Sequence, residues 1–347
     1  MTQPARQQRP FKLGFLTHAF GHDPRQAYRD LIEQFEVAEA LGFDGGWIAQ
    51  HHLSGGFGQL PSPLVLLSAV TARTRRIELG TAVIVLPLED TLRLAEDAAV
   101  LDQLSEGRVQ LGLGSGGANL GVFEAFGRDP DRRQDEFKHG VQRLQQILSG
   151  APLAGGAGLQ PPGEALGNRL WHSHGSPQGA VHAAQQGNGL LLGTATHDPL
   201  TVQKPLADAY LSAWKHTSRS PRIGVVRAVF PAADRESAQA ELAADIELHV
   251  PRLIREGLID EVANLEQNLR LLNVHHGHPE EIIHTLRNDP SLLPYADYFI
   301  PVVQSESSTQ AQVLRRLESI ARDIAPSLGW KPVYANDAAA RDRLPLE

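Results

Sequence analysis

The hydrophobic pattern switches between two periods along most of the chain. Residues 79–86 form a continuous apolar run rich in β-branched side chains, as expected of a strand buried on both faces. Leucine and alanine then recur at helical spacing over 92–104, and 109–113 turns apolar again beside the glycines of GLGSGG at 112–117. Strand, helix, strand and glycine-rich turn make a βαβ unit. At Gly112, Gly114, Gly116 and Gly117 backbone can approach a flat or anionic ligand with no Cβ in the way.

The alternation extends in both directions. Positions 11–17 predict the first strand, and Gly21, Asp23 and Pro24 introduce a helix over 25–41 that Gly42 closes as a C-cap. Residues 43–49 predict a strand that delivers Gln50, His51 and His52 into a glycine-rich loop, and 63–72 predict a helix. Further helices are predicted over 129–148, 199–216, 232–256 and 309–325, with others opening at the GSPQG turn of 175–179 and at Pro279. Counting strands near 11, 44, 77, 108, 169, 189, 222 and 297 gives eight βα units. That argues for a single α/β domain over 1–347, a closed (β/α)8 TIM barrel with insertions; a doubly wound open sheet is the runner-up. Three stretches interrupt the alternation: a frayed, disordered start at 1–10, a Gly/Ala/Pro-rich excursion at 150–167, and an irregular 257–294 that reads as a surface insertion or a lid. In a barrel the carboxyl ends of the strands share one rim, which gathers His18, His51, Pro87, Ser115, Ser176, Thr194 and the segment after Phe230 around one mouth.

Composition narrows the chemistry. No apolar run reaches the roughly 18–20 residues of a membrane helix, and the first ten positions lack the apolar segment of a secretory signal, so a cytoplasmic protein is expected. With no cysteine there are no disulfides, thiolate metal sites or thiol nucleophiles. A net charge of −8 gives no general attraction to nucleic acid or anionic membrane, which leaves a small molecule as the expected partner. The glycine turn at 112–117 lacks the GxGxxG spacing of a dinucleotide site. Ser176 at the start of a helix is either an anion site or simply an N-cap. Among 15 histidines, His172 and His174 have the spacing of two metal ligands on one strand face, which keeps a metal-dependent barrel hydrolase as an alternative. The group His275, His276 and His278 reads as a solvated loop.

Several ordered motifs agree in sequence and spacing: FDGGWIAQHH at 43–52, GTAVIVLP at 80–87, RLAEDAAVLDQLSEGRVQLGLGSGG at 93–117, GSPQGAVHAAQQGNGLLL at 175–192, HPEEIIHTL at 278–286 and LRRLESIARDIAPSL at 314–328. Together they resemble the bacterial luciferase-like family of flavin-dependent monooxygenases. The resemblance implies a barrel that binds reduced FMN at its carboxyl rim. It also implies a separate NAD(P)H:flavin reductase as electron source, O2 and a small organic molecule as substrates, and a homodimer. His51 matches the histidine beside the flavin that assists its oxygen chemistry. Ala82 and Val83 match a pair that often forms a non-prolyl cis peptide under the flavin ring. Gly114 and Ser115 match a strand-end segment at the cofactor, and Ser176, Gln178 and Gly179 match its phosphate cradle. This sequence departs from the family at Gln50, where a glutamate is usual, and at Thr194, where luciferase has a tryptophan near the flavin. Gly114 and Ser115 replace luciferase's reactive cysteine and phosphate-contacting arginine, so light emission is not implied. A deazaflavin-dependent oxidoreductase and a non-catalytic flavin-binding barrel are the alternatives on the same fold.

Overall fold

Short parallel strands that alternate large side chains with glycine set the architecture, seen in a computed structural model that describes residues 11–53, 58–117, 120–255, 257 and 264–332. The strands are β1 (Lys12–Thr17), β2 (Gly45–Ile48), β3 (Glu78–Thr81), β4 (Ile84–Val85), β5 (Val109–Gly114), β6 (Leu170–Ser173), β7 (Gly189–Leu192), β8 (Ile223–Pro231), β9 (Val274–Gly277) and β10 (Tyr298–Val302). The order β10-β1-β2-β3-β5-β6-β7-β8 closes through β8 onto β10, making the eight-stranded (β/α)8 barrel that the strand count predicts. The helices are α1 (Pro24–Leu41), α2 (Pro63–Arg73), α3 (Thr91–Leu104), α4 (Gly121–Ala125), α5 (Arg133–Leu148), α6 (Glu164–Gly167), α7 (Pro177–Gln185), α8 (Lys204–Ala213), α9 (Arg235–Arg255), α10 (Leu265–Leu271), α11 (Pro279–Arg287) and α12 (Gln310–Ser319). Gly42 ends α1 at φ 91° and donates to the carbonyls of Ala38 and Glu39, as its sequence position predicts. Positions 1–10 lie outside the described residues. No helix among the described residues is long and apolar enough to cross a membrane.

The lower half of the barrel is filled by aromatic side chains that glycines make room for. Trp47 packs edge-on against Trp171 and Tyr298, with ring centroids 5.6 and 5.5 Å away. A Cβ on Gly14 would come within 2.9 Å of the Tyr298 ring, and those on Gly45, Gly80 and Gly189 would overlap Tyr298, Trp47 and Trp171. Because the base is solid, any ligand space lies above it, toward the carboxyl rim.

Two features depart from the sequence expectation. The apolar run at 79–86 is not one strand. A cis peptide between Ala82 and Val83 divides it into β3 and β4, and β4 pairs with the far end of β5, Ile84 opposite Leu113 and Val85 opposite Gly114. Thr81 bridges the break through its hydroxyl, which donates to the carbonyl of Gly112 and accepts from its N–H, each at 2.9 Å. A Cβ on Gly112 would collide with the Thr81 carbonyl. Gly112 thus serves the close approach of two strands, whereas the sequence reading placed it at a ligand.

The second departure is 257–294, which is not an irregular insertion. Its described part carries α10, β9 and α11, and β9 pairs with the end of β8, Ala228 to Pro231 opposite Val274 to Gly277; residues 258–263 lie outside the described set. His275 and His276 are therefore not in a solvated loop. His275 Nδ1 lies 2.8 Å from the Thr285 hydroxyl, and His276 is buried with its Nε2 3.7 Å from Glu266. His278 is exposed as the N-cap of α11. Below this layer the guanidinium of Arg227 on β8 donates to Asp289 from Nε at 2.6 Å and to the Ser291 hydroxyl from Nη2 at 2.6 Å. Both charged side chains are buried, at 1% and 3% exposure.

Candidate active site

Above the aromatic base, the carboxyl ends of six strands open into a cavity of about 570 Å³. Its floor is made by Leu16, Ala49, Ala82, Val83, Gly114 and Gly193, small or flat surfaces delivered by β1, β2, β3, β5 and β7. The Val83 methyl lies where a side chain at Gly114 would have to go, 2.5 Å from an added Cβ. Five histidines stand round this floor: His18, His51, His52, His174 and His197. The His51 and His18 rings are 5.6 Å apart, and His18 stacks on Phe20 at 4.9 Å. The remaining polar wall is Ser115, whose hydroxyl accepts from Gln134 at 3.0 Å, with Ser173 and Thr194. Gly116 turns the chain away from the floor at φ +87°, a conformation that favours glycine.

Most of the residues anticipated at the mouth are there. His18, His51, Ala82, Val83, Gly114, Ser115 and Thr194 line the cavity. Pro87 does not. It follows β4 in a short helical turn and lines a separate recess with Glu89, Asp90 and Arg128. The segment after Phe230 is also absent from the lining, because β8 runs on above the rim. Phe230 is buried in a satellite core with Leu242, Ile246 and Leu269, under the Arg316 guanidinium at 4.7 Å. Ser176 and Gln178 are exposed beside the cavity and do not line it. The Ser176 hydroxyl accepts from the Gly179 N–H at 3.2 Å, capping α7. Gly175, immediately before it, does face the cavity.

The sequence reading gave no role to Gln134, His197 or Asn273. Asn273 precedes β9 and donates to the carbonyls of Ala195 and His197, at 2.5 and 3.2 Å. Through these two bonds the start of β9 holds the loop after β7 that carries Thr194 and His197. The HxH spacing did find His174, but for a different chemistry. The His172 and His174 rings both pack edge-on to the Phe137 ring, with centroids 5.4 and 5.2 Å away, and His174 also borders the cavity. His172 Nε2 is engaged by Asn188 at 2.9 Å. No group of three or more His, Asp or Glu among the described residues is placed to hold a metal, so the hydrolase alternative finds no ligand set there.

Burial keeps the imidazoles of His18, His52, His172, His174 and His197 neutral near pH 7. Desolvation, with the charges of His51 and His249, holds His18 down to about 3. Desolvation and the charges of His182 and Lys138 hold His174 down to about 4. His172 is pushed well down by the same cause, and His52 and His197 are lowered. A folded pKa below the unfolded value near 6.5 means that the unfolded chain binds more protons between the two. Stability is therefore complete above pH 6.5 and falls as the pH drops toward 4, by about 1.4 kcal/mol per pH unit for each of His18 and His174. Urea midpoints recorded from pH 8 to pH 4 are expected to fall in that window, and to fall less steeply in His174→Asn.

His18 Nδ1 and His174 Nε2 are buried without a hydrogen-bond partner. A flat floor of small side chains, ringed by imidazoles and hydroxyls, fits a planar heteroaromatic group with polar edges.

Comparison with known proteins gives the fold and the family. Of the curated relatives, 4-hydroxyprotoasukamycin monooxygenase of Streptomyces nodosus subsp. asukaensis is 34% identical over 134 residues, 38% of this chain and 35% of that protein. The matched stretch spans between about a third and a half of the length of the curated relatives. Two solved structures share the fold over almost the whole chain. One is the oxygenating constituent of 3,6-diketocamphane monooxygenase of Pseudomonas putida, in complex with FMN (TM-score 0.76, 18% identity, 91% of this chain and 98% of that one). The other is an F420-dependent secondary alcohol dehydrogenase (TM-score 0.70, 18% identity, 92% and 99%). The sequence profile of luciferase-like monooxygenases matches residues 11–287, and the chain belongs to that family.

Proposed function

We propose that this chain is the oxygenase component of a two-component system. It takes FMN already reduced by a separate NAD(P)H:flavin reductase, admits O2 and inserts one oxygen atom into a small organic substrate, working as a homodimer in the cytoplasm. The observation that carries the reading is the placement of His51 beside a flat floor of Ala49, Ala82, Val83 and Gly114 in one cavity. The bound flavin would supply the reaction with oxygen.

The chain's own residues hold and shield. Ala82, Val83 and Gly114 present a surface without protruding side chains, against which a flavin ring would lie. Ser115, Gln134 and His174 offer hydrogen bonds to its edge, and Thr194 borders the substrate side. Val85, Leu88, Val122 and Phe123 make the apolar part of the wall and exclude water from the reacting face. Gly58 backs the Nδ1 edge of His51, since a Cβ there would lie 2.7 Å from Nδ1. A proton exchanged with the cavity therefore moves at Nε2, and imidazole is suited to that exchange near neutral pH. The phosphate would sit outside the cavity at the start of α7, where Ser176, Gln178 and Gly179 present a hydroxyl, an amide and backbone N–H groups.

Ser176→Ala tests the phosphate assignment. The affinity for reduced FMN is expected to drop about tenfold, the worth of roughly one good hydrogen bond to a charged group, while that for reduced riboflavin stays unchanged. Equal weakening of both would remove the cradle from α7. A deazaflavin in place of FMN would use the same floor. It is distinguished by binding reduced F420 in preference to reduced FMN and by transferring hydride without consuming O2.

A further inference from the structure

Gln50 stands where the family usually has a glutamate, and the structure shows what the amide does there. Its Oε1 accepts from the Val85 N–H at 2.7 Å. Its Nε2 donates to Glu89 Oε1 at 2.8 Å and to the Pro61 carbonyl at 3.0 Å. The side chain is 7% exposed. Three segments meet on this one group: β4, which follows the Ala82–Val83 floor; the turn before α3, which carries Glu89; and the loop before α2. The same loop receives the neighbouring backbone, with His51 N–H donating to the Leu60 carbonyl at 3.0 Å. A carboxylate at position 50 has no N–H to give. Both Glu89 and Pro61 would then present oxygen to oxygen at hydrogen-bond distance.

We infer that Gln50 and Glu89 form a matched amide–carboxylate pair that positions the Ala82–Val85 wall against His51, and that glutamine at 50 is required because position 89 already supplies the carboxylate. Gln50 is a positioning residue. It lines the cavity edge and acts through Val85 and the strand end beside it. The pairing is a property of the fold of this chain, and its consequence for cofactor binding rests on the reading of the mouth as a flavin site.

The experiment is an exchange of the two groups, with two readouts. In Gln50→Glu two carboxylates face each other. Hydrogen exchange of the peptide containing Val85 is expected to quicken at least tenfold at pH 8, and affinity for reduced FMN to fall about tenfold. As the pH falls toward 5 the pair can share one proton, and an O–H donor returns. Both defects should therefore shrink with falling pH, which loosened packing would not produce. Each is taken relative to wild-type protein at the same pH, so that the titration of His52, which feels the Glu89 charge, and of the other cavity histidines cancels. Glu89→Gln alone still presents a carbonyl oxygen to Gln50, in a weaker neutral hydrogen bond, and should show a smaller defect than Gln50→Glu at pH 8, with no dependence on pH. The double variant Gln50→Glu/Glu89→Gln restores a donor opposite the new carboxylate. It should recover most of the protection and affinity at pH 8, though not the share that the hydrogen bond to the Pro61 carbonyl supplies in the wild type.

A folded Gln50→Glu variant with wild-type exchange at Val85 would overturn the inference. So would a defect that is independent of pH or that Glu89→Gln fails to relieve. Exchange at Val85 is read without any cofactor. If wild-type protein binds no flavin while exchange follows the expected pattern, the flavin reading falls and the positioning pair stands.

Discussion

Replacing His51 with alanine is expected to lower the rate of substrate oxygenation by about 10²–10⁴-fold, the usual worth of a positioned proton-transfer group, while the variant still binds reduced flavin nearly as well as wild type. The imidazole borders the cavity floor, with Gly58 behind its Nδ1 edge, and no part of the flat surface beneath the ring depends on it. Single-turnover product formation, measured beside flavin affinity, separates the two quantities. Affinity lost together with turnover would make His51 part of the binding wall. His18 cannot take over the task near neutral pH, because burial and its charged neighbours keep it neutral down to about pH 3.

Asp289→Ala carries the largest expected loss of stability, about 3–5 kcal/mol, because it leaves the guanidinium of Arg227 buried without its counter-ion. Arg227 is 1% exposed, and among the described residues its other hydrogen bonds go to the Ser291 hydroxyl and the carbonyl of Val226, both at 2.6 Å. Equilibrium urea unfolding reads the difference directly. The double replacement Arg227→Met/Asp289→Leu removes both charges, and most of the stability is expected to return. A loss as large in the double variant as in the single one would show that shape at this position, and not the unpaired charge, sets the cost.

The sequence revealed more of the barrel than of its mouth. Eight parallel strands were legible because each is a short apolar run followed by helical spacing; that glycine at inward positions of β1, β2, β3 and β7 makes room for Trp47, Trp171 and Tyr298 is seen only in the structure. The break inside 79–86 was not legible, since β-branched residues continue unchanged across Ala82 and Val83 and only the later partner, Gly114 opposite Val85, reveals the change of course. The resemblance to the luciferase-like family did point to that pair. The strand β9 was hidden because VHHG has neither strand nor helix periodicity. It forms where β8 outruns its neighbours and offers an unpaired edge. The glycine signal was legible but divided between two tasks: Gly114 makes room for the Val83 methyl on the cavity floor, and Gly112 allows the close approach of Thr81.

Position 50 shows the limit most clearly. From the sequence, glutamine in place of glutamate reads as a missing charge beside His51. In the structure the amide turns away to Glu89, Pro61 and Val85, so the carboxylate it meets comes from a residue 39 positions on. No local pattern carries that information. The offset of Ser176 from the cavity is of the same kind, since an N-cap hydroxyl and a phosphate ligand look alike in sequence.

The most direct test of the account is an anaerobic titration of the purified protein with photoreduced FMN, riboflavin and reduced F420, followed by mixing with oxygenated buffer while O2 uptake is recorded. The account predicts tight binding of reduced FMN, weaker binding of riboflavin, and O2 consumption by the bound flavin. Binding of F420 alone, or of none of the three, would contradict it.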